Sequence, residues 1–225
     1  MSTIDTHLHI FVPGLDYPWL ASRTVPLGAT AHGDWSAIVV EAGAAAPLDE
    51  LRAMQSLAAQ HSWIRGFVAP LGLDGAEDFD VVVGYRAGLD GPPITAPRYP
   101  LSLLQGSASY SATLAVLETA GEGSVVLDHC GGGEVGSAAW RVFIAQAARH
   151  PHAVIKVSAA PGREVIEQVL EVFGPERSMF GTDWPVTADP EGQAATVLDV
   201  LGASSADAAA VMTGTAERVY GVRHG

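Results

Sequence analysis

Eight short apolar runs recur along the chain, and most are separated from the next by a segment with helical spacing. Strand and helix alternate through the whole length with no break in composition. Such alternation confines the fold to parallel strands joined by right-handed crossovers, an α/β protein. The expected strands are residues 4–11, 36–41, 63–70, 81–86, 100–105, 124–129, 153–158 and 178–183. Helical periodicity marks 47–61, 108–120, 137–149, 162–173, 191–201 and 205–220. Two crossovers are short. Residues 72–80 leave room for one helical turn, and 88–100 form a Gly/Pro-rich loop. A closed barrel of eight parallel strands normally takes about 250 residues, with about 200 as the lower limit. At 225 residues the chain is expected to be a compact (β/α)8 TIM barrel with shortened crossovers, in a single domain. An open doubly wound sheet is the alternative. No Gly-x-Gly-x-x-Gly follows a strand and no P-loop is present, so nucleotide binding has no support.

Composition narrows the class of partner. With 25 acidic and 12 basic residues, the formal charge of −13 repels nucleic acid and anionic membrane surfaces. No apolar run approaches the roughly 20 residues that span a bilayer, and no basic region or cleavage site of a signal peptide is visible. A cytoplasmic location is the expectation. The one cysteine, Cys130, excludes an intrachain disulfide and is expected to be a small buried filler.

The chemistry concentrates at strand ends. His7 and His9 stand two apart in the first run, so on a strand their side chains share a face. Two imidazoles there can hold one metal ion or one polarised carbonyl. His129 ends a middle strand and Asp183 the last, and Glu41, Arg86, Asp128 and Lys156 also fall at or near strand ends. In a parallel barrel these ends converge on one mouth, and the first and last strands become neighbours on closure. An ionised Asp183 at a buried strand end needs a partner, which the histidines supply. Asp128, next to His129, is expected to point the other way and pair structurally. The loop after the first strand carries Tyr17-Pro18-Trp19, placed either to meet a ligand or to pin the loop.

These pieces resemble the amidohydrolase superfamily, in the branch of sugar-lactone and pyrone-dicarboxylate lactonases. The resemblance rests on Asp5-Thr6-His7-Leu8-His9-Ile10-Phe11, Val83-Gly84-Tyr85-Arg86, Leu127-Asp128-His129-Cys130-Gly131 and Ile155-Lys156-Val157-Ser158. Phe180-Gly181-Thr182-Asp183-Trp184-Pro185-Val186 and the tail Gly214 to Gly221 complete it, so it runs nearly end to end. It implies a single barrel domain over residues 1–225 and a small-molecule substrate. Asp183 would be the general base, with His7, His9 and His129 as its partners. Arg86, Lys156, Trp184, Tyr17, Trp19 and Glu41 are the candidates for substrate contact. Relatives usually carry a basic residue and a proline after the His-x-Gly, where this chain has Gly132 and Gly133. That departure weakens a dicarboxylate reading. The shortened crossovers leave the pocket more open, or covered by a partner subunit in a homo-oligomer.

The reaction this implies is hydrolysis of a cyclic ester. Asp183 takes a proton from water, while the three histidines polarise the carbonyl or stabilise the oxyanion. The same four residues can instead hold one divalent metal, zinc or manganese, whose bound water has a lowered pKa. Both remain open at this level. A metal-dependent amidohydrolase or non-oxidative decarboxylase on the same residues is the first alternative, and a non-catalytic ligand-binding barrel the second.

Overall fold

The computed structural model describes residues 2–20, 23–30, 32–88, 100–104, 109–121, 123–159 and 161–223. The 88–100 loop reading falls almost wholly outside them. All eight expected strands form: β1 (Ile4–Leu8), β2 (Ser36–Val40), β3 (Ile64–Pro70), β4 (Val82–Gly88), β5 (Leu101–Leu104), β6 (Val125–Leu127), β7 (Ala153–Val157) and β8 (Ser178–Phe180). They lie in chain order in one sheet, each parallel to the next. Beyond β8 the chain turns onto β1: Asp183 N donates to His7 O at 2.7 Å and His9 N to Trp184 O at 2.8 Å. The sheet is thereby drawn into the expected barrel.

The helices are α1 (Pro47–Gln60), α2 (Tyr110–Thr119), α3 (Ala138–Ala147), α4 (Arg163–Phe173), α5 (Pro190–Leu201), α6 (Ala206–Ala209) and α7 (Thr215–Tyr220). Their starts follow capping chemistry. Ser137 accepts from Trp140 N, Asp189 from Gly192 N and Ser205 from Ala208 N, each satisfying a donor that the first turn leaves free. Between β3 and β4 there is one turn of 3-10 helix, Ala76–Asp78, as the short spacer requires. The expected 205–220 helix is interrupted by a π turn, Ala210–Gly214. No helix among the described residues is long and apolar enough to cross a membrane.

Two cores stabilise the assembly. Between strands and helices pack Leu51, Met54, Phe67, Trp140, Phe143, Ile166, Val169 and Phe173, all buried. Inside the barrel, Ile4, Ile38, Val40, Val68, Val126, Val154 and Met179 form a second layer, closed from below by Ala216, Val219 and Tyr220 of α7. Side chains alternate along a strand, so residues two further on point inward above this layer. Asp128 follows Val126 by two and Lys156 follows Val154 by two. The expectation that Asp128 points away from the interior is therefore overturned.

Three strands end two or three residues earlier than the apolar runs suggest. β6 stops at Leu127 because His129 and Cys130 adopt φ of 51° and 56°. β8 stops at Phe180 because the chain leaves β7 for β1 and then takes φ 67° at Asp183. β1 stops at Leu8, where its register against β2 shifts. Left-handed backbone at non-glycine residues costs on the order of 1 kcal/mol or more and concentrates at functional sites.

Glu50, in the first turn of α1, anchors the loop after β2 by accepting Ala42 N at 2.9 Å. Burial pushes its carboxyl up from 4.5 to about 7, against the opposing hydrogen bond from Ala42. A raised carboxyl pKa means the folded state holds its proton longer than the unfolded chain. This contribution therefore lowers stability as pH rises from 4.5 to about 7. Glu50→Gln keeps the acceptor and removes the charge. Denaturant unfolding should find the variant more stable than the parent above that range, by about 1–3 kcal/mol. The two should converge below it.

Candidate active site

The mouth of the barrel is assembled from the ends of β1, β6, β7 and β8. Asp183 presents Oδ1 to three imidazoles: His9 Nε2 at 3.3 Å, His7 Nε2 at 3.7 Å and His129 Nε2 at 3.8 Å. Its other oxygen, Oδ2, accepts the Thr187 hydroxyl at 3.2 Å, which holds Oδ1 toward the histidines. The expected shared face of His7 and His9 is present, with ring centroids 5.0 Å apart, and His7 and His129 lie 4.4 Å apart. His129 reaches the mouth only through its positive φ. On a continued strand it would point opposite to Asp128, toward the helices. Trp140 Nε1 donates to Cys130 O at 2.7 Å and pins this turn from α3.

Each ring is oriented by a group behind it. His9 Nδ1 meets the Val40 carbonyl at 3.0 Å. A carbonyl only accepts, so Nδ1 carries a hydrogen and Nε2 faces Asp183. His7 Nδ1 lies 3.4 Å both from Asp128 Oδ1, which can only accept, and from Lys156 Nζ, which can only donate, so either tautomer has a partner there. Burial and the nearby Lys156 ammonium hold His7 well below the usual imidazole range despite Asp128, so its ring is neutral. His129 Nδ1 contacts Ser158 Oγ at 2.9 Å, and burial lowers its pKa also.

Beneath the histidines lies a layer of buried charge. Lys156 Nζ pairs with Asp128 Oδ1 at 3.0 Å, and both side chains are completely inaccessible. Arg86 Nε lies 3.5 Å from Asp128 Oδ2. Burial alone would raise the Asp128 carboxyl, but Lys156, His7 and Arg86 outweigh it and hold it well below the usual carboxylate range. Burial would lower Lys156, and Asp128 with Tyr220 reverses that and raises it.

Above the site opens a cavity of about 330 Å³ lined by His9, Trp19, Glu41, Arg86, His129 and Asp183, among others. A second cavity of about 470 Å³ shares Leu104 and His129 with it and runs over Gly132, Gly133, Ser158 and the start of α4. Of the residues expected to contact substrate, Trp19, Glu41 and Arg86 line the first cavity. Three do not line either cavity. Lys156 lies under His7, spent on Asp128. Tyr17 is buried edge-on against Phe11, its hydroxyl accepting Val12 N at 2.9 Å, so it pins the loop. Trp184 turns away to pack on His32, while its carbonyl serves the β1 contact. Sequence reasoning did not single out Ser158 or Thr187. Ser158 was findable, being two residues past inward-facing Lys156; Thr187 acts through a loop that no periodicity reports.

Comparison with known proteins agrees with this architecture. Residues 122–222 match the amidohydrolase family model. L-fucono-1,5-lactonase from Burkholderia multivorans is 32% identical over 125 residues, 43% of this chain. The aligned stretch spans 42% of that relative's length, less than half of it. Among solved structures, amidohydrolase 2 from Bifidobacterium longum subsp. infantis superposes with a TM-score of 0.83 at 20% identity, covering 99% of both chains. An amidohydrolase from Burkholderia multivorans, solved with bound zinc, gives 0.79 at 22% identity, covering 99% of this chain and 100% of that one. The resemblance to the amidohydrolase superfamily is matched by the family model over residues 122–222, and the solved structures share the expected TIM-barrel fold.

Removing Lys156 tests the buried layer. Lys156→Met leaves Asp128 ionised and short of its nearest partner, and should cost about 3–5 kcal/mol in denaturant unfolding. Adding Asp128→Asn to that variant should recover part of the loss, because the orphaned charge is gone. A loss of under about 1 kcal/mol for the single variant would mean that Lys156 and Asp128 are not coupled.

Proposed function

We propose that the chain is a hydrolase that opens a small cyclic ester by water attack at the mouth of the barrel. The observation that carries this reading is the convergence of three imidazole Nε2 atoms, at 3.3–3.8 Å, on one Asp183 oxygen beside a ligand-sized cavity. The 32%-identical relative, itself a lactonase, supports the choice of ester.

The geometry favours the metal-holding role of these residues. His9 sends its Nδ1 hydrogen back to Val40, and His7 Nδ1 lies between Asp128 and Lys156, so both turn Nε2 toward the Asp183 carboxylate. His7 Nε2 is buried and has no hydrogen-bond partner among the described residues. Ligand atoms of His7, His9 and Asp183 all lie within 4.8 Å of one another, a spacing that fits one divalent cation such as zinc or manganese. His129 borders the same point. When bound, such an ion lowers the pKa of water and draws charge from a carbonyl oxygen. Without such an ion, the same imidazoles keep the expected role of polarising the carbonyl or stabilising the oxyanion directly.

The chain's own residues then do the following. Asp183 takes a proton from water as the water oxygen adds to the carbonyl carbon. The ring C–O bond breaks, and Asp183 returns the proton to the leaving alkoxide. The product is a hydroxy acid, which loses its proton to solvent. Thr187 keeps the Asp183 carboxylate aligned throughout. His9 and His129, which line the first cavity, are the imidazoles placed to touch the substrate. A single buried cysteine asks for no oxidising compartment, in keeping with a cytoplasmic home.

A panel of sugar lactones, followed by acid release, tests the reading. Asp183→Asn should lower kcat by about 10²–10⁴-fold. His7→Ala and His9→Ala should each lose bound metal by elemental analysis, and chelation should abolish turnover until zinc or manganese is restored. Turnover at the parent rate in Asp183→Asn would overturn the assignment of the base. Full activity in metal-free protein would return the histidines to a direct role.

A further inference from the structure

Arg86 is the one Lys or Arg side chain lining either cavity among the described residues. Its charge is already matched. Nη1 lies 3.0 Å from Glu41 Oε1 and 3.3 Å from Glu41 O, while Nε faces buried Asp128. Glu41 is held from its other side too, with Oε2 accepting Gly43 N at 2.7 Å. Both side chains reach the cavity with limited exposure, 12% for Arg86 and 15% for Glu41. The wall therefore presents a hydrogen-bond donor and an acceptor side by side with no net charge. The second cavity adds only glycines, small residues, apolar side chains, Ser158 and His129.

We propose that Glu41 sets the charge of the substrate this site accepts: by offsetting Arg86, it admits uncharged, hydroxyl-bearing lactones and turns away carboxylated ones. A hydroxyl can donate to Glu41 and accept from Arg86, so a neutral polyol satisfies both without separating them. A carboxylate on the ligand must instead displace Glu41 from Arg86 or lie against it. In either case two anions share one cation close to a third, Asp183, in a partly desolvated wall where like charges repel strongly. Glu41→Gln keeps an acceptor for Gly43 N and removes the charge, which frees Arg86 for an anion.

This inference rests on the lactone reading of the site, so the test measures binding separately from turnover. The probes are D-gluconolactone, which is neutral, and D-saccharic acid lactone, which carries a carboxylate. Calorimetric titration of the Asp183→Asn protein reads binding without hydrolysis, and the same titration is run with Glu41→Gln added. The neutral probe should bind more tightly to the first protein. Adding Glu41→Gln should shift the affinity ratio toward the carboxylated probe by roughly tenfold or more. Arg86→Gln, in the same background, should weaken the neutral probe without any gain for the carboxylated one. An unchanged ratio, equal weakening of both probes by Glu41→Gln, or no binding of either probe overturns the proposal. A shifted ratio in a protein that hydrolyses no lactone would strike the catalytic reading and leave the charge assignment standing.

Discussion

The seam between the first and last strands is the contact on which the rest depends. A barrel of eight parallel strands has one place where sequence neighbours do not meet, and here it is held by polar groups. The Asp5 carboxylate accepts from His7 N at 3.0 Å, Thr182 N at 2.9 Å and Thr182 Oγ1 at 2.5 Å. Thr6 Oγ1 donates to Phe180 O at 2.6 Å alongside. Backbone approach is close enough that Gly181 has no room for a side chain: a Cβ there would lie 3.1 Å from His7 N. Burial raises the Asp5 carboxyl to about 6 even with these hydrogen bonds, which offset its desolvation only in part. The seam is thus a specific contact held at some cost in stability. What it secures is geometry, because the residues it joins, 5–9 and 180–184, include three of the four that converge at the mouth. Closing the barrel and building the site are one event.

Below the mouth, the interior changes from aliphatic to charged within one strand residue pair. Val126 and Val154 belong to the apolar layer, while Asp128 and Lys156, two residues on, form a fully buried ion pair. Such a pair is weak evidence for stability, since a well-packed apolar replacement is often as stable. Its effect here is directional. Asp128 stays ionised, and the pair holds His7 Nδ1 at 3.4 Å from both of its members, which turns the other nitrogen toward Asp183. Lys156 never reaches the cavity, yet it maintains the charge that fixes the imidazole.

The sequence made the periodic part of this legible. All eight strands and their order follow from apolar runs, and the pairing of His7 with His9 follows from their spacing. Asp128 was equally legible by counting two from Val126. On a regular strand an inward His129 would turn Asp128 outward, and only the irregular backbone lets both face the interior. The site departs from regularity at that point: positive φ at His129 and at Asp183 turns both side chains in ways that no alternation predicts. Tyr17 shows the complementary difficulty. An aromatic in a loop beside a site serves equally as ligand contact or as packing, and only the hydrogen bond from Val12 N decides for packing.

The charge balance of the wall has a consequence for turnover on the proposed chemistry. A neutral lactone enters a cavity whose single described cation is already paired with Glu41. Ring opening converts that ligand into a carboxylate, and the new charge arises beside Asp183, within the same small cavity as Glu41. The arrangement that accommodates the substrate is then less favourable to its product, since apart from an ion held by His7, His9 and Asp183 no unpaired cation among the described residues is there to hold it. The acidic surface, at −13 overall, repels the departing anion as well. Selection at entry and expulsion after reaction would therefore come from one feature, a guanidinium whose charge is met by a neighbouring carboxylate before any ligand arrives.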